Sequence, residues 1–360
     1  MSSQRYHLLN WKPAGVCSGN GCKVETNRQS MSGADTKLQI FSIFAIAILA
    51  IITIDLLNER AEDEVLMYVI KDERTIIEPN GEDEVLDRSE VARIASFNIR
   101  VFGDTKMANT AVVDELVEIF HRYDMVAVQE IKDIDEEVPY QFLDALNSYN
   151  GSDPHDLAER EGQLKWMMVL SNRTGEQADD QNSQEQYAFY YRSNVFQSLD
   201  DGVLYDDSAN DSFQREPLVS RFMILDLEGG FSGTNITIIN IHTKPTLAVE
   251  ELTALSEVVE WAGQRSGGDD DVVILGDFNG DCSYASYNEL VQLPISTENY
   301  TWLIPDDADT TVGDSRCAYD RIVTSGDISG RLTGLWGIDE EISSSDVSDH
   351  RPVWFDLSRL

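Results

Sequence analysis

One design, repeated along the chain from Val91 onward, constrains the fold more than any other feature. A short aliphatic run stops abruptly in one or two polar residues. In "VVILGDFNGDCSY" (Val272–Tyr284) the run Val272–Leu275 is β-branched and continuous, as in an interior strand. Gly276 then permits a tight exit, and Asp277 and Asn279 project from the strand's end. Taken singly this is an ordinary polar turn after a strand, which Asp, Asn and Gly favour. The recurrence is what outweighs that reading. "RIASFNIR" delivers Asn98 and Arg100, and "DMVAVQEIKD" delivers Glu130. "YAFYYR" is preceded by Glu185, and "ITIINIHTKP" delivers His242 before Pro245 stops the strand. "CAYDRIV" opens on Asp320, and "SDHRPVWFDL" sets Asp349 and His350 just before the last strand. Helical periodicity lies between several of these runs, in "ANTAVVDELVEIFHRY" and "TLAVEELTALSEVVEWAG". Strands alternating with helices predict an α/β domain around a buried sheet.

The residues delivered have a coherent chemistry. Of five histidines (His7, His121, His155, His242, His350), two stand at strand ends beside acids. Glu130, Asp277 and Asp349 are hard oxygen donors suited to Mg²⁺ or Ca²⁺ rather than zinc. Two histidines supply a base to activate water and an acid to protonate a leaving oxygen. Asn98 and Asn279 are neutral donors for charge building on a phosphoryl group. Serine or cysteine nucleophile machinery has no counterpart. The chemistry is metal-assisted phosphodiester hydrolysis.

Composition sets limits on the partner. With 65 acids against 27 bases the formal net charge is −38, a field that repels polyanions. This argues against a tight, salt-dependent grip on nucleic acid through a basic surface, but not against local approach to a phosphodiester through a bound divalent cation. Four cysteines fall in two pairs, Cys17/Cys22 and Cys282/Cys317. The second pair lies in the domain and reads equally as one disulfide, in an oxidising compartment, or as two buried thiols.

The N-terminal segment is organised differently. Residues 1–37 form a basic tail, and Leu38–Ile54 is a run of 17 residues without a charge, roughly 25 Å long as a helix. Residues 38–57 read as a transmembrane anchor or, from Met31, a signal segment. From Asn58 to Glu90 there are 12 acids and four bases, an acidic linker. Positive before and acidic after predicts that residues 91–360 lie outside the cell or in a lumen, secreted or tethered by a single pass. Five Asn-x-Ser/Thr sequons, at Asn150, Asn172, Asn210, Asn235 and Asn299, agree with a secretory route.

Longer motifs carry a resemblance. "IASFNIRVFGDTKM", "VQEIKD", "NDSFQREP", "IHTKP", "GDFNGDCSY", "TWLIPDDADTT", "CAYDRIV" and "SDHRPV", in that order from Ala92 to Leu357, resemble the deoxyribonuclease I family of the endonuclease/exonuclease/phosphatase superfamily. The resemblance implies a four-layer α/β/β/α sandwich of two packed mixed sheets flanked by helices, expected as a monomer. It implies that His242, oriented by Glu185, and His350, oriented by Asp320, form an acid–base pair. Glu130, Asp277 and Asp349, with Asn98 and Asn279, would hold Mg²⁺ (or Mn²⁺) and the scissile phosphate of DNA, giving 5′-phosphate ends. Arg100 and Arg215 match phosphate-contacting arginines, and Cys282–Cys317 matches a structural disulfide. Asp309 and Thr311 match one structural Ca²⁺ loop; Asp211, Phe213 and Glu216 match most of a second.

Departures bear on substrate choice. The segment "YDDSANDSF" is shorter than the family's and lacks its cysteines, which touches the second Ca²⁺ loop. Lys132 stands where the family places a groove-entering arginine, keeping the charge without the planar fork. Ser183 aligns with a sugar-stacking tyrosine and cannot stack. These changes predict altered or weaker duplex preference. Two other readings accompany the endonuclease: the same mechanism on a phospholipid or inositol phosphate, and a non-catalytic binding module on this fold. Binding to actin or other inhibitors is not legible in the sequence.

Overall fold

Alternation of side chains along each strand decides which face a residue meets, and here it stacks two sheets back to back. The computed structural model describes residues 75–76, 87–149, 165–176, 183–268 and 271–360, all within one unit spanning Met67–Leu360. The strands are β1 (Thr75–Ile76), β2 (Val91–Phe102), β3 (Met125–Ile131), β4 (Trp166–Leu170), β5 (Gln186–Arg192), β6 (Phe196–Ser198) and β7 (Val203–Leu204). They continue with β8 (Leu218–Leu225), β9 (Phe231–His242), β10 (Val272–Asp277), β11 (Tyr300–Trp302), β12 (Asp320–Ser325), β13 (Leu332–Ile338) and β14 (Val353–Ser358). The helices are α1 (Asp104–Met107), α2 (Thr110–Phe120), α3 (Val138–Asn147), α4 (Ala248–Ser266) and α5 (Tyr287–Leu290). One sheet runs β1-β11-β12-β10-β9-β8-β6 with β7 on β8; the other runs β13-β14-β2-β3-β5-β4.

Three apolar layers make this the expected four-layer sandwich. Between the sheets pack Ala92, Ile94, Met125, Ala127, Phe189, Ile238, Val273, Leu275, Ile322 and Phe355. Outside the six-stranded sheet, Ala95, Phe97, Val126 and Val128 meet Leu116, Phe120 and Phe142 of α2 and α3. Outside the other, Ile239, Ile241, Val272 and Ile274 meet Leu252, Leu255 and Val258 of α4. Each strand thus sends alternate residues into the inter-sheet layer, as a pleat requires.

The acidic linker is not wholly separate from the domain. Within Asn58–Glu90, Thr75 and Ile76 pair in parallel with Thr301 and Trp302, adding an edge strand. The anchor or signal segment Leu38–Ile54, Cys17, Cys22 and Asn150 lie outside the described residues. Among the described residues no helix is long and apolar enough to cross a membrane.

Candidate active site

Continue the inter-sheet parity past the last apolar residue of each strand, and the site assembles itself. Ile236, Ile238 and then Asn240 and His242 fall on one face of β9; Val273, Leu275 and then Asp277 fall on one face of β10. Ala92, Ile94 and then Ser96 and Asn98 do so on β2. Pairing then sets neighbours side by side, since Asp277 lies opposite His242 on β9 and opposite Asp320 on β12. The inter-sheet layer therefore becomes polar at one end. Beneath the site, Gln129 Nε2 donates to Asn240 Oδ1 at 2.6 Å and to Ser96 Oγ at 3.1 Å, joining the two sheets.

Two histidine–carboxylate dyads meet on one oxygen. His242 Nδ1 lies 3.0 Å from Glu185 Oε1, and His350 Nδ1 lies 2.8 Å from Asp320 Oδ2. Their Nε2 atoms stand 3.4 and 3.5 Å from Asp277 Oδ2. Glu185 and Asp320 are fully buried. Burial opposes the His350 imidazolium, but the charges of Asp320 and Asp277 prevail and hold its pKa at about 10. Burial also opposes ionisation of Glu185, and the charges of His242 and Arg215 outweigh it, keeping that carboxyl below its ordinary value. Asp277 is lowered in the same way, by His350 and then His242 against burial.

The oxygen donors are gathered by backbone distortion. Ile99–Val101 of β2 stand opposite Glu130 alone in β3, a bulge that breaks the ladder. Arg100, Val101 and Glu130 all take positive φ there, at 42°, 50° and 63°. That turn directs Arg100 N to Asn98 Oδ1 and Val101 N to Glu130 Oε2, both at 2.9 Å. The Asn98 amide donates to Glu130 Oε1 at 3.2 Å and to Asp277 Oδ2 at 3.0 Å. Two carboxylates and a carboxamide on rigid strands are gathered here, donors of the hard-oxygen type that divalent cations take. Asp349 stands apart from these bonds, half-exposed, with its Oδ2 3.4 Å from Arg100 Nε. Lys132 Nζ is 3.8 Å from Glu130 Oε2. Asn279, at φ 45°, donates its backbone N–H to Asp277 Oδ1 at 3.0 Å and its amide to the carbonyl of Thr243.

Arg215 sits behind the first dyad. It is buried, donates to the carbonyls of His242 and Thr243 at 3.0 and 2.9 Å, and has Nε 3.7 Å from Glu185 Oε2. Glu251, fully buried, accepts from the N–H groups of Gln214 and Lys244, both at 3.1 Å; burial pushes its carboxyl up to about 7. Lys106, Gln129, Asn240 and Ser348 lie inside stretches quoted above, but the sequence assigned no role to them or to Glu251. Only the parity of Asn240, two residues before His242, is a signal that points to any of them.

The two loops matched to Ca²⁺ differ. Asp309 already carries Arg351 Nη1 on its Oδ2 at 3.0 Å, Thr311 Oγ1 on its Oδ1 at 2.9 Å, and Arg316 Nε at 3.7 Å. The Asp309 carboxylate is thus engaged by Arg351 and the Thr311 hydroxyl, with Arg316 nearby. In the second, Asp207 Oδ2 accepts from Phe213 N at 2.8 Å. Burial raises the Asp207 carboxyl, the Phe213 N–H opposes that, and the charges of Glu216 and Asp211 add to it. Glu216 also accepts from the Thr174 hydroxyl. Asp207, Asp211 and Glu216 are thus close enough in this loop to influence one another's charge, and Asp207 is an acid that the motif reading did not name. Cys282 and Cys317 are disulfide-bonded. Ser183 lies beside Gly175, where its carbonyl oxygen would be 3.0 Å from an added Cβ.

This geometry has known relatives. The model of the Endonuclease/Exonuclease/phosphatase family matches residues 95–350. The chain belongs to that family. Within it, the chain is similar to deoxyribonuclease-1 of Bos taurus, 35% identical over 278 residues that cover 72% of this chain and 90% of that protein. Deoxyribonuclease-1 of Homo sapiens is 34% identical over the same coverage. A solved endonuclease/exonuclease/phosphatase from Bacteroides vulgatus shares the fold, with TM-score 0.50 and 17% identity over 74% of this chain and 98% of that one. The chain is thus an enzyme of the family's deoxyribonuclease I branch.

Proposed function

We propose that the chain is a divalent-metal-dependent endonuclease that hydrolyses DNA phosphodiester bonds to 5′-phosphate ends. The observation that carries this is the convergence of two carboxylate-backed imidazoles, His242 and His350, on a single oxygen of Asp277. His350, kept protonated by its acidic neighbours, is the acid for the leaving 3′ oxygen. His242 turns Nδ1 to Glu185, which leaves Nε2 to take a proton from the attacking water. Glu185 and Asp320 orient the two rings, and Arg215 steadies the first dyad through the carbonyl of His242. Arg100, exposed beside Asp349, meets the phosphate together with Asn279. Mg²⁺ at Glu130, Asp277 and Asn98, with Asp349 at the rim, would neutralise charge gathering on the phosphoryl oxygens. Ca²⁺ belongs to the Asp207, Asp211 and Glu216 loop. The disulfide supports an oxidising compartment, in keeping with a secreted or membrane-tethered enzyme.

The test is plasmid nicking by the purified chain with Mg²⁺ plus Ca²⁺, with EDTA, and with His242→Ala. Metal-dependent nicking that disappears in the variant is the expected result. A folded wild-type protein that leaves plasmid intact would sink the DNA reading and favour phospholipid or inositol phosphate substrates.

A further inference from the structure

We propose that Lys106 is a positioning residue of this site, its ammonium clamping the end of β2 to the loop that carries Asp349 and His350. The inference rests on the hydrolytic reading above. Lys106 Nζ lies 2.6 Å from the carbonyl of Ile99, 2.5 Å from that of Arg100 and 2.8 Å from that of Val347. An ammonium has three donors, and all three are used. The acceptors belong to two segments far apart in sequence, one holding Asn98 and Arg100, the other leading into Asp349 and His350.

The ladder alone does not hold these segments together. β14 pairs with β2 from Ser358 opposite Val91 to Val353 opposite Ser96, and stops there. Asn98–Val101 extend beyond the last pair, in the positive-φ turn that aims their N–H groups at Asn98 and Glu130. Such a turn is strained and persists only where its surroundings over-determine it. It also leaves the carbonyls of Ile99 and Arg100 in need of donors, and Lys106 supplies them. Ser348 Oγ adds a second tie, donating to the Asn98 carbonyl at 2.6 Å and accepting from His350 N at 3.0 Å. Lys106 borders a cavity of about 450 Å³ lined also by Arg100, Ser345 and Asp346. Without the ammonium, water in that cavity would solvate the freed carbonyls, leaving the Ser348 hydroxyl and the buried Val347 side chain to hold the loop to β2 without fixing the positions of the Ile99 and Arg100 carbonyls.

A misplacement of about 1 Å between reacting groups is enough to cost roughly 10²-fold in rate. The experiment compares wild type and Lys106→Met in the full chain by plasmid nicking and by hydrogen exchange. The clamp predicts that kcat falls by about tenfold or more while KM stays within about threefold, since oriented chemistry is lost rather than uniform binding. It also predicts faster exchange at the amides of Arg100, Val101 and Val347–His350, with the rest of the sheet unchanged. Lys106→Gln, which keeps two donors, should lie between the two. A kcat within about twofold of wild type, or unaltered exchange at those amides, overturns the proposal. If Lys106→Met does not fold, Lys106→Gln is judged by the same two criteria. If the wild-type chain does not nick DNA, the functional reading fails, and the exchange data still decide the clamp.

Discussion

At the scale of single residues the site is organised around Asp277 Oδ2, which receives the Asn98 amide and faces both imidazole Nε2 atoms. His242→Ala is expected to lower nicking by about 10²–10⁴-fold, the usual share of one general acid or base. A loss below about tenfold, measured as kcat/KM at saturating Mg²⁺, would remove His242 from the chemistry. His350 makes a separate prediction through linkage. Its folded pKa, about 10, lies above the ordinary 6.5, so the folded state holds the proton more tightly than the unfolded chain. The resulting stability is complete below the unfolded pKa and fades as pH rises through the folded one. In EDTA, His350→Ala should therefore destabilise most near pH 6 and least near pH 10 in urea unfolding. A pH-independent difference would show that the Asp320 pairing is not the source.

Elements place these residues by departing from regularity where strands end. β10 can lie against β9 at its last turn because position 276 has no side chain. Gly276 has φ +145°, and an added Cβ would sit 1.9 Å from the Ile241 carbonyl oxygen. Gly276→Ala must shift the strand next to both Asp277 and His242. It is expected to cost on the order of 3 kcal/mol or more and to abolish nicking. A variant with a wild-type melting temperature would refute the close approach. The loop before β8 makes a second prediction. Ca²⁺ should raise the melting temperature through Asp207, Asp211 and Glu216, by about 2.7 kcal/mol of stability at a hundredfold excess over Kd. Asp207→Asn should remove that response, whereas Asp309→Asn should not, since Arg351 already occupies Asp309. The reverse pattern in a calorimetric titration would exchange the roles of the two loops.

For the whole molecule the dominant quantity is charge. A formal −38 surrounds a site whose proposed substrate is a polyanion. Proteins that bind DNA through a basic face lose affinity steeply with salt as counterions are released. Here long-range repulsion is what salt screens, so KM for plasmid should stay flat or fall between about 50 and 200 mM NaCl at fixed Mg²⁺. A KM rising tenfold or more over about that range would reveal a basic grip that the charge balance does not suggest.

The sequence by itself determined the strands and the chemistry they deliver. Aliphatic runs bounded by Asn98, Glu130, His242, Asp277 and Asp320 are legible because burial writes a pattern into local composition. The family motifs are legible for the same reason, that a rigid strand end is where a reacting atom is best mounted. Strands such as β4, β8 and β13 deliver no reacting residue and pass unmarked by motif. Tertiary structure alone decided which chemistry-bearing residues meet. The seating of Arg215 behind Glu185, the commitment of Asp309 to Arg351 and the grip of Lys106 on Val347 all join segments distant in sequence. Such contacts follow from pairing register and from backbone turns at strand ends, and a hydrogen bond formed across sheets leaves no periodicity along the chain to read.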